Sequence, residues 1–324
     1  MAVSSAFVLL LLICGSVVDA DESSVGAETI SSTQQAAKES AAKAPELPDE
    51  LSGFDARPNR VLFTGRPGRW DARIRERGWI LRHDDQYHLW YTGYNPGREP
   101  LDMKLGYATS ADGIHWKRFD QPIFDDVWVE DMMVVRRDDT FYMFAEGTGD
   151  QAQLLKSKDG ISWTHEGPLN VRLTSGEPIP EGPYGTPTAW FEDDQWWLFY
   201  ERRDQGIWAA TSKDMQTWTN VSDDPLIKPG PDNYDARMIA LNQIVKIQDR
   251  YYAVLHGTGS EEKPRQWCTY FAVSDDLKTW TKAKEGPVLP VSQNKSSGVL
   301  VNDGQQYLLY TMHGEVVRHE PTGK

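Results

Sequence analysis

The chain has 324 residues, with 48 Asp+Glu against 34 Lys+Arg and a formal charge of −14 at pH 7. That balance excludes a nucleic-acid partner held through a broad basic face, and the length suits one large domain or two small ones. With 13 Trp, 13 Tyr, 26 Gly and 19 Pro, the composition leans towards β structure, because aromatic residues suit strands and Gly and Pro punctuate turns.

In chain order, the apolar run Phe7–Val18 comes first and is too short to span a bilayer comfortably. Val18-Asp19-Ala20 follows it with a small residue at the cleavage position, so residues 1–20 are expected to be a signal peptide cut after Ala20. The expected location is therefore secreted or periplasmic, with no membrane contact after cleavage. Cys268 is then the remaining cysteine, and no internal disulfide is expected. Residues 21–56, rich in Ser, Ala and Glu, read as a disordered linker. The folded domain is expected over 57–324.

That domain contains an internal repeat. Ser110-Ala-Asp112-Gly-Ile-His-Trp116, Ser157-Lys-Asp159-Gly-Ile-Ser-Trp163, Ser212-Lys-Asp214-Met-Gln-Thr-Trp218 and Ser274-Asp-Asp276-Leu-Lys-Thr-Trp280 share one pattern, with their tryptophans 47, 55 and 62 residues apart. Upstream of each lies an apolar strand, an acidic turn and an aromatic strand, over 79–94, 133–148, 188–203 and 243–258, and a fifth copy spans 298–313. Acidic turns flanked by alternating aromatics are hairpin signals. Each unit thus holds roughly four strands, one propeller blade. The fold class is all-β, a five-bladed β-propeller of four-stranded blades. The last unit is short by a strand, which Asn59–Phe63 is expected to supply, closing the ring.

In such a ring, residues before the inner strands and after the second strands meet at one mouth. The inner-strand starts carry Asp71, Glu76, Glu130, Asp131, Glu181 and Asp235; the second-strand ends carry Thr92, Glu146, Glu201, His256 and Thr311. Those second-strand positions are equivalent in the repeat yet chemically unlike, which points to function, whereas the repeated Asp112, Asp159, Asp214 and Asp276 read as turn caps. Trp70, Trp128, Tyr184 and Tyr234 rim an acidic mouth, which suits an oligosaccharide or polysaccharide: sugar faces stack on rings while carboxylates, Arg73 and Arg237 bond hydroxyls. Glycoside hydrolysis needs one ionised and one protonated carboxyl group, and a third carboxylate raises the acid's pKa by repulsion.

The propeller with Ser-x-Asp-Gly-x-x-Trp tails resembles the glycosidase superfamily that contains glycoside hydrolase families 43, 32, 62, 68, 117 and 130. The resemblance covers about residues 58–319. Trp70-Asp71 resembles the first-blade motif of family 43, which implies Asp71 as the base. Trp128-Val-Glu-Asp131 resembles the second-blade motif, which implies Asp131 as the pKa modulator. Glu181-Gly-Pro183 resembles the third-blade motif that supplies the acid. Thr186, however, occupies the register of Asp131, so the acid is either Glu201 or Glu181. Trp70, Arg73, Trp128, Glu146, Tyr184, Asp235, Arg237 and His256 are the expected substrate-binding residues. The expected protein is an exo-acting hydrolase of a plant or algal type of glycan, and the resemblance to family 43 implies inversion. The alternatives are a non-catalytic glycan-binding propeller, or a phosphorylase or lyase in which Arg73 and Arg237 hold a phosphate or uronate. No cofactor is expected. Some relatives hold a cation in the central channel through a histidine, for which His256 and His313 are the candidates.

Overall fold

The computed structural model describes residues 44–180 and 184–322. The expected signal peptide, the linker up to residue 43 and Glu181 lie outside the described residues. Two N-terminal strands, β1 (Phe54–Ala56) and β2 (Phe63–Thr64), precede the first repeat. Blade one holds β3 (Arg73–Ile74), β4 (Trp79–His83), β5 (Gln86–Tyr94), β6 (Lys104–Ser110) and β7 (Lys117–Arg118). Blade two holds β8 (Glu130–Arg137), β9 (Thr140–Gly147), β10 (Gln151–Ser157) and β11 (Trp163–Pro168). Blade three holds β12 (Val171–Arg172), β13 (Gly185–Glu192), β14 (Gln195–Glu201), β15 (Ile207–Ser212) and β16 (Trp218–Asn220), with β12 parallel to β16 at the outer edge. Blade four holds β17 (Met238–Ile247), β18 (Arg250–Thr258), β19 (Cys268–Ser274) and β20 (Thr281–Leu289), and blade five holds β21 (Gly298–Asn302), β22 (Tyr307–Met312) and β23 (Glu315–Pro321).

The strands form five separate sheets whose neighbours are antiparallel apart from the β12–β16 pair. Inner strand β4 lies against β8, β8 against β13, β13 against β17, β17 against β21, and β21 against β4, so the ring closes. The hairpin turns follow the expected chemistry. Asp84-Asp85 and Asp193-Asp194 all take positive φ, between 48° and 56°, as the two-residue turns that match strand twist demand.

The Ser-x-Asp motif is a turn clamp. Ser110 Oγ accepts from the Gly113 N–H at 2.9 Å, while Asp112 Oδ1 accepts from Ile114 and His115 N–H groups at 2.9 and 2.8 Å. The same bonds recur at Ser157/Asp159, Ser212/Asp214 and Ser274/Asp276. Three of the four clamps set their tryptophan against an aromatic residue of the preceding blade's second strand: Trp163 against Trp90, Trp218 against Phe144, Trp280 against Phe199. Trp90, Phe144 and Phe199 occupy one register of the second strands and are fully buried, each a large apolar group that welds two blades. Trp90 Nε1 also donates to the Gly160 carbonyl at 2.7 Å, and Tyr310 repeats that bond to Gly113 at 3.2 Å across the seam between blades five and one.

One expectation is met in part and one needs correction. The end of the expected segment does pair with β23, through Phe63 in β2 and the Leu62 N–H on the Val316 carbonyl at 2.8 Å, and β1 pairs with β23 as well. The folded unit begins at Ala44 rather than at residue 57. Leu47, Leu51 and Phe54 are buried against Val254, Phe271 and Leu309, and this apolar trio orders a stretch whose composition otherwise reads as linker.

Candidate active site

The inner strands of three blades share a kink at their entry. Arg77, Asp131 and Thr186 each stand seven residues before the hairpin turn and have φ of 52°, 46° and 48°. Left-handed backbone in a β-branched threonine and a buried arginine is unfavourable by roughly 1–3 kcal/mol each and concentrates at functional sites. The pairing breaks there as well, between Glu130 and Met133 in blade two and between Gly185 and Thr188 in blade three.

Arg77 is fully buried. Its Nη1 donates to the Asp131 carbonyl at 2.9 Å, and its Nη2 donates to the Pro187 carbonyl (3.0 Å), Thr188 Oγ1 (2.7 Å) and the Leu241 carbonyl (3.2 Å). One side chain from blade one thereby ties blades two, three and four together. Burial lowers its pKa to about 10, which leaves it charged at neutral pH.

The acids gather around it. Asp131 Oδ1 is shut off from solvent and has no hydrogen-bond partner among the described residues. Glu146 Oε2 accepts from the Thr186 N–H at 2.8 Å. Glu201 Oε2 accepts from the Asp204 N–H. A Cβ on Gly185 would lie 2.4 Å from Glu146 Oε2 and 3.0 Å from Glu201 Oε1, so the missing side chain is what lets these two carboxyl groups approach. Glu130 is engaged on both oxygens, by Trp128 Nε1 at 2.7 Å and Arg75 Nε at 2.7 Å. Among the described residues Glu130, Glu146 and Asp150 bring carboxylate oxygens within 4.8 Å of one another and are the group able to hold a metal ion. Of the histidines expected at a channel cation, His256 Nδ1 is 2.9 Å from Asn242 Oδ1 and His313 Nδ1 is 2.8 Å from Ser296 Oγ.

Electrostatics follow from this crowding. Burial, then repulsion from Glu76 and Glu130, pushes Asp131 well above the usual carboxylate range, against the pull of Arg77 and Arg75. Burial and the Asp131 charge raise Glu146 likewise. Two neighbouring carboxyls that repel in this way titrate as a pair. Burial and Asp204 raise Glu201 to about 7, and burial raises Asp204 to about 6. His256 falls to about 3 through burial and the Arg77 charge and is neutral.

The structure thus brings Asp131, Glu146 and Glu201 together, with His256 electrostatically within reach of Arg77. Trp128 reaches them through Glu130. Other expected residues have different settings. Asp71, expected as the base, is fully buried and saturated by Arg66 Nε (2.9 Å), Arg118 Nη1 (2.7 Å) and the Tyr91 hydroxyl (2.9 Å), so it is a brace. Although burial opposes it, those three donors hold its pKa below the ordinary value. Asp235, expected to bind substrate, is equally buried and is ion-paired with Lys282, the matching brace of blade four. Trp70 stacks on Tyr91 and bonds the Asp120 carbonyl at 2.8 Å, and Tyr184 bonds the Leu169 carbonyl at 3.1 Å. Arg73 is exposed on β3, and Arg237 is exposed and paired with Glu261.

Arg77 and Asp204 were not among the expected site residues. Arg77 was signalled by its register, shared with Asp131 and Thr186. Asp204 was signalled by standing three residues after Glu201, on a turn where Arg203 and Asp204 have φ of 55° and 57°.

No family model matches the chain. A 1,2-β-oligomannan phosphorylase from Thermoanaerobacter sp. (strain X514) is 26% identical over 200 residues, which cover 57% of this chain and 63% of that protein. A β-1,2-mannobiose phosphorylase from the same organism is 22% identical over 256 residues, 72% of this chain and 81% of that one. Among solved structures, one described under the GH130 family of mannoside phosphorylases, as containing glycoside hydrolases that target β-1,2-mannosidic linkages in Candida mannan, superposes with a TM-score of 0.69 at 18% identity. The superposition covers 87% of this chain and 98% of that chain. The fold is therefore the five-bladed propeller that these glycan-directed proteins share.

Proposed function

We propose that the protein is a glycoside hydrolase that cleaves β-1,2-linked mannosides. The carrying observation is the convergence of Asp131, Glu146 and Glu201 around Gly185 and Arg77. In this reading Glu201, protonated up to about pH 7, donates its proton to the departing glycosidic oxygen. In the same reading one carboxyl of the Asp131–Glu146 pair is ionised and takes a proton from the attacking water. Arg77 keeps that pair anchored. Attack by water on the face opposite the leaving group makes the enzyme inverting. The relatives' mannosides, rather than a plant or algal glycan, supply the first substrates to test. Export rests on the run Phe7–Val18 and the Ala20 cleavage position; sequencing the mature N-terminus, expected at Asp21, tests it.

Phosphorolysis is the second reading, favoured by the names of the two Thermoanaerobacter relatives. Against it stands the charge of the mouth. Glu76, Glu130 and Asp131 surround Arg75, whose Nε and Nη2 already face Glu130 and Glu76, and Arg77 is spent on backbone carbonyls. A phosphate dianion would enter a field of carboxylates. The test is product analysis on β-1,2-mannobiose with and without phosphate. Mannose released without phosphate, as the inverted anomer by proton NMR, supports the hydrolase. Mannose 1-phosphate formed only with phosphate establishes the second reading.

A further inference from the structure

The loop between β1 and β2 is held at both ends against β23. The Arg57 N–H donates to the Arg318 carbonyl at 2.9 Å, and the Leu62 N–H donates to the Val316 carbonyl at 2.8 Å. Arg318 also spans the seam between blades five and one, with Nε on the Arg57 carbonyl at 2.9 Å and Nη1 on the Asp112 carbonyl at 3.4 Å. Residues 58–61 therefore form a loop on a fixed base at the outer edge of blade five. A hollow of about 820 Å³ lies against this loop, and its wall includes Arg57, Asn59, Arg60, Gln293 and Glu315. A second hollow of about 420 Å³ shares Arg60 with the first and is walled also by Trp116 and Lys117. Neither has Asp131, Glu146 or Glu201 in its wall.

Charge tells what these hollows suit. Lys295 is held by Glu315 at 2.8 Å, and Arg57 stands 3.9 Å from Asp55. Arg60 and Lys117 are exposed, and among the described residues their side chains have neither an ion pair nor a hydrogen bond. Two unmatched cations therefore flank an indole in a chain whose formal charge is −14. Each component fits one part of an acidic sugar. The indole offers a face to a sugar ring, the Asn59 and Gln293 amides donate to and accept from hydroxyls, and the cations take a carboxylate. A neutral sugar would leave both cations unmatched. A compact inorganic anion would use neither the amides nor the indole, and a nucleic acid needs a broad basic face that this acidic chain lacks.

We propose that the Arg60 loop and the Trp116 wall form a docking site for a uronate-bearing oligosaccharide, at the seam between blades five and one and separate from the mouth. Arg60 and Lys117 hold a sugar carboxylate there, and a ring of the same oligosaccharide lies against Trp116. The site is independent of the chemistry at the mouth, so it is read by binding rather than by turnover.

Calorimetric titration with trigalacturonate, and with the neutral trisaccharide obtained by reducing its carboxyl groups, tests the site. The wild type is expected to bind the acidic trisaccharide saturably and the neutral one at least tenfold more weakly, with an affinity for the former that falls as salt is added. Arg60→Gln is expected to raise Kd about tenfold and Lys117→Gln about threefold. Melting temperatures are expected to stay within about 2 °C, because neither side chain bonds anything in the free protein. Cleavage of β-1,2-mannobiose is expected to be the same in both variants as in the wild type. Unchanged affinity in Arg60→Gln overturns the site, and so does equal binding of the neutral trisaccharide. Binding that survives Arg60→Gln but is lost in Glu201→Gln overturns it in favour of the mouth. A single-stranded oligonucleotide that binds as tightly overturns it in favour of unselective attraction of polyanions. Failure of the wild type to bind trigalacturonate overturns it while leaving the mannoside reading intact.

Discussion

Arg77 donates to the backbone carbonyl of Asp131 at 2.9 Å, although the two residues hold the same register in neighbouring blades. A repeated position has diverged into an arginine, an aspartate and a threonine, and the arginine of one blade now restrains the aspartate of the next. With a further bond to Thr188 and contacts to the Pro187 and Leu241 carbonyls, Arg77 is the post around which the acids are arranged.

Removing that post should be costly in two ways. Arg77→Met keeps the volume but leaves buried carbonyls and the Asp131 pair without their donor and counter-charge. The expected loss is about 3–5 kcal/mol of unfolding free energy, read by urea denaturation. Thr188→Val, which removes one bond of the set, should cost only about 1 kcal/mol.

Glu201 predicts a pH dependence. Its carboxyl has a pKa of about 7 in the folded protein, above its ordinary value, so the protonated form is the one the fold favours. The stabilisation is fully present below the unfolded pKa and is lost as pH rises through about 7. Glu201→Gln, which cannot ionise, is therefore expected to gain melting temperature relative to wild type between pH 6 and pH 8. The kcat of the wild type should fall on the alkaline side near the same value as the proton donor ionises. A melting difference that is flat across that range contradicts the assignment.

Gly185 is expected to be essential for chemistry and less so for folding. A methyl group there would sit 2.4 Å from Glu146 Oε2 and push the two carboxyls apart. Gly185→Ala should lower kcat by roughly 10²-fold or more, since misplaced catalytic groups forfeit alignment. The expected stability loss is about 1–3 kcal/mol, so circular dichroism alongside kinetics separates the two effects.

Asp71 should behave in the opposite manner. Asp71→Asn breaks a buried arrangement of two arginines and a tyrosine, with an expected cost of about 3 kcal/mol. Its pKa lies below the ordinary value, so its contribution is present above the unfolded pKa and is lost as pH falls through the folded one. Where the variant remains folded, kcat is expected to stay within a few-fold of wild type; a loss of 10²-fold or more would restore Asp71 as a base.

The blades were legible because each repeats its own code. Alternating aromatics around acidic turns fix the hairpins, and Ser-x-Asp-x-x-x-Trp fixes the clamp that welds one blade to the next. The site was legible in part, for the same geometric reason: position on a strand end decides which face a residue meets. Asp131, Glu146 and Glu201 follow that rule. Asp71 and Asp235 satisfy it in sequence, but Asp71 meets the neighbouring Arg66 and the distant Arg118, and Asp235 meets the distant Lys282, partners that no periodicity reveals. Arg77 was hidden because an arginine at a strand entry normally reaches solvent, and only the closed ring shows that this one points inward. The N-terminal boundary was misjudged because Leu47, Leu51 and Phe54 are too few to lift a polar composition, yet suffice to bury a short strap.

The most direct test is hydrolysis of β-1,2-mannobiose, without phosphate, by folded wild type, Asp131→Asn and Glu201→Gln. Mannose release by the wild type with a loss of roughly 10²–10⁴-fold in each variant is the predicted result. Wild-type turnover that survives both substitutions, or that appears only when phosphate is added, would contradict it.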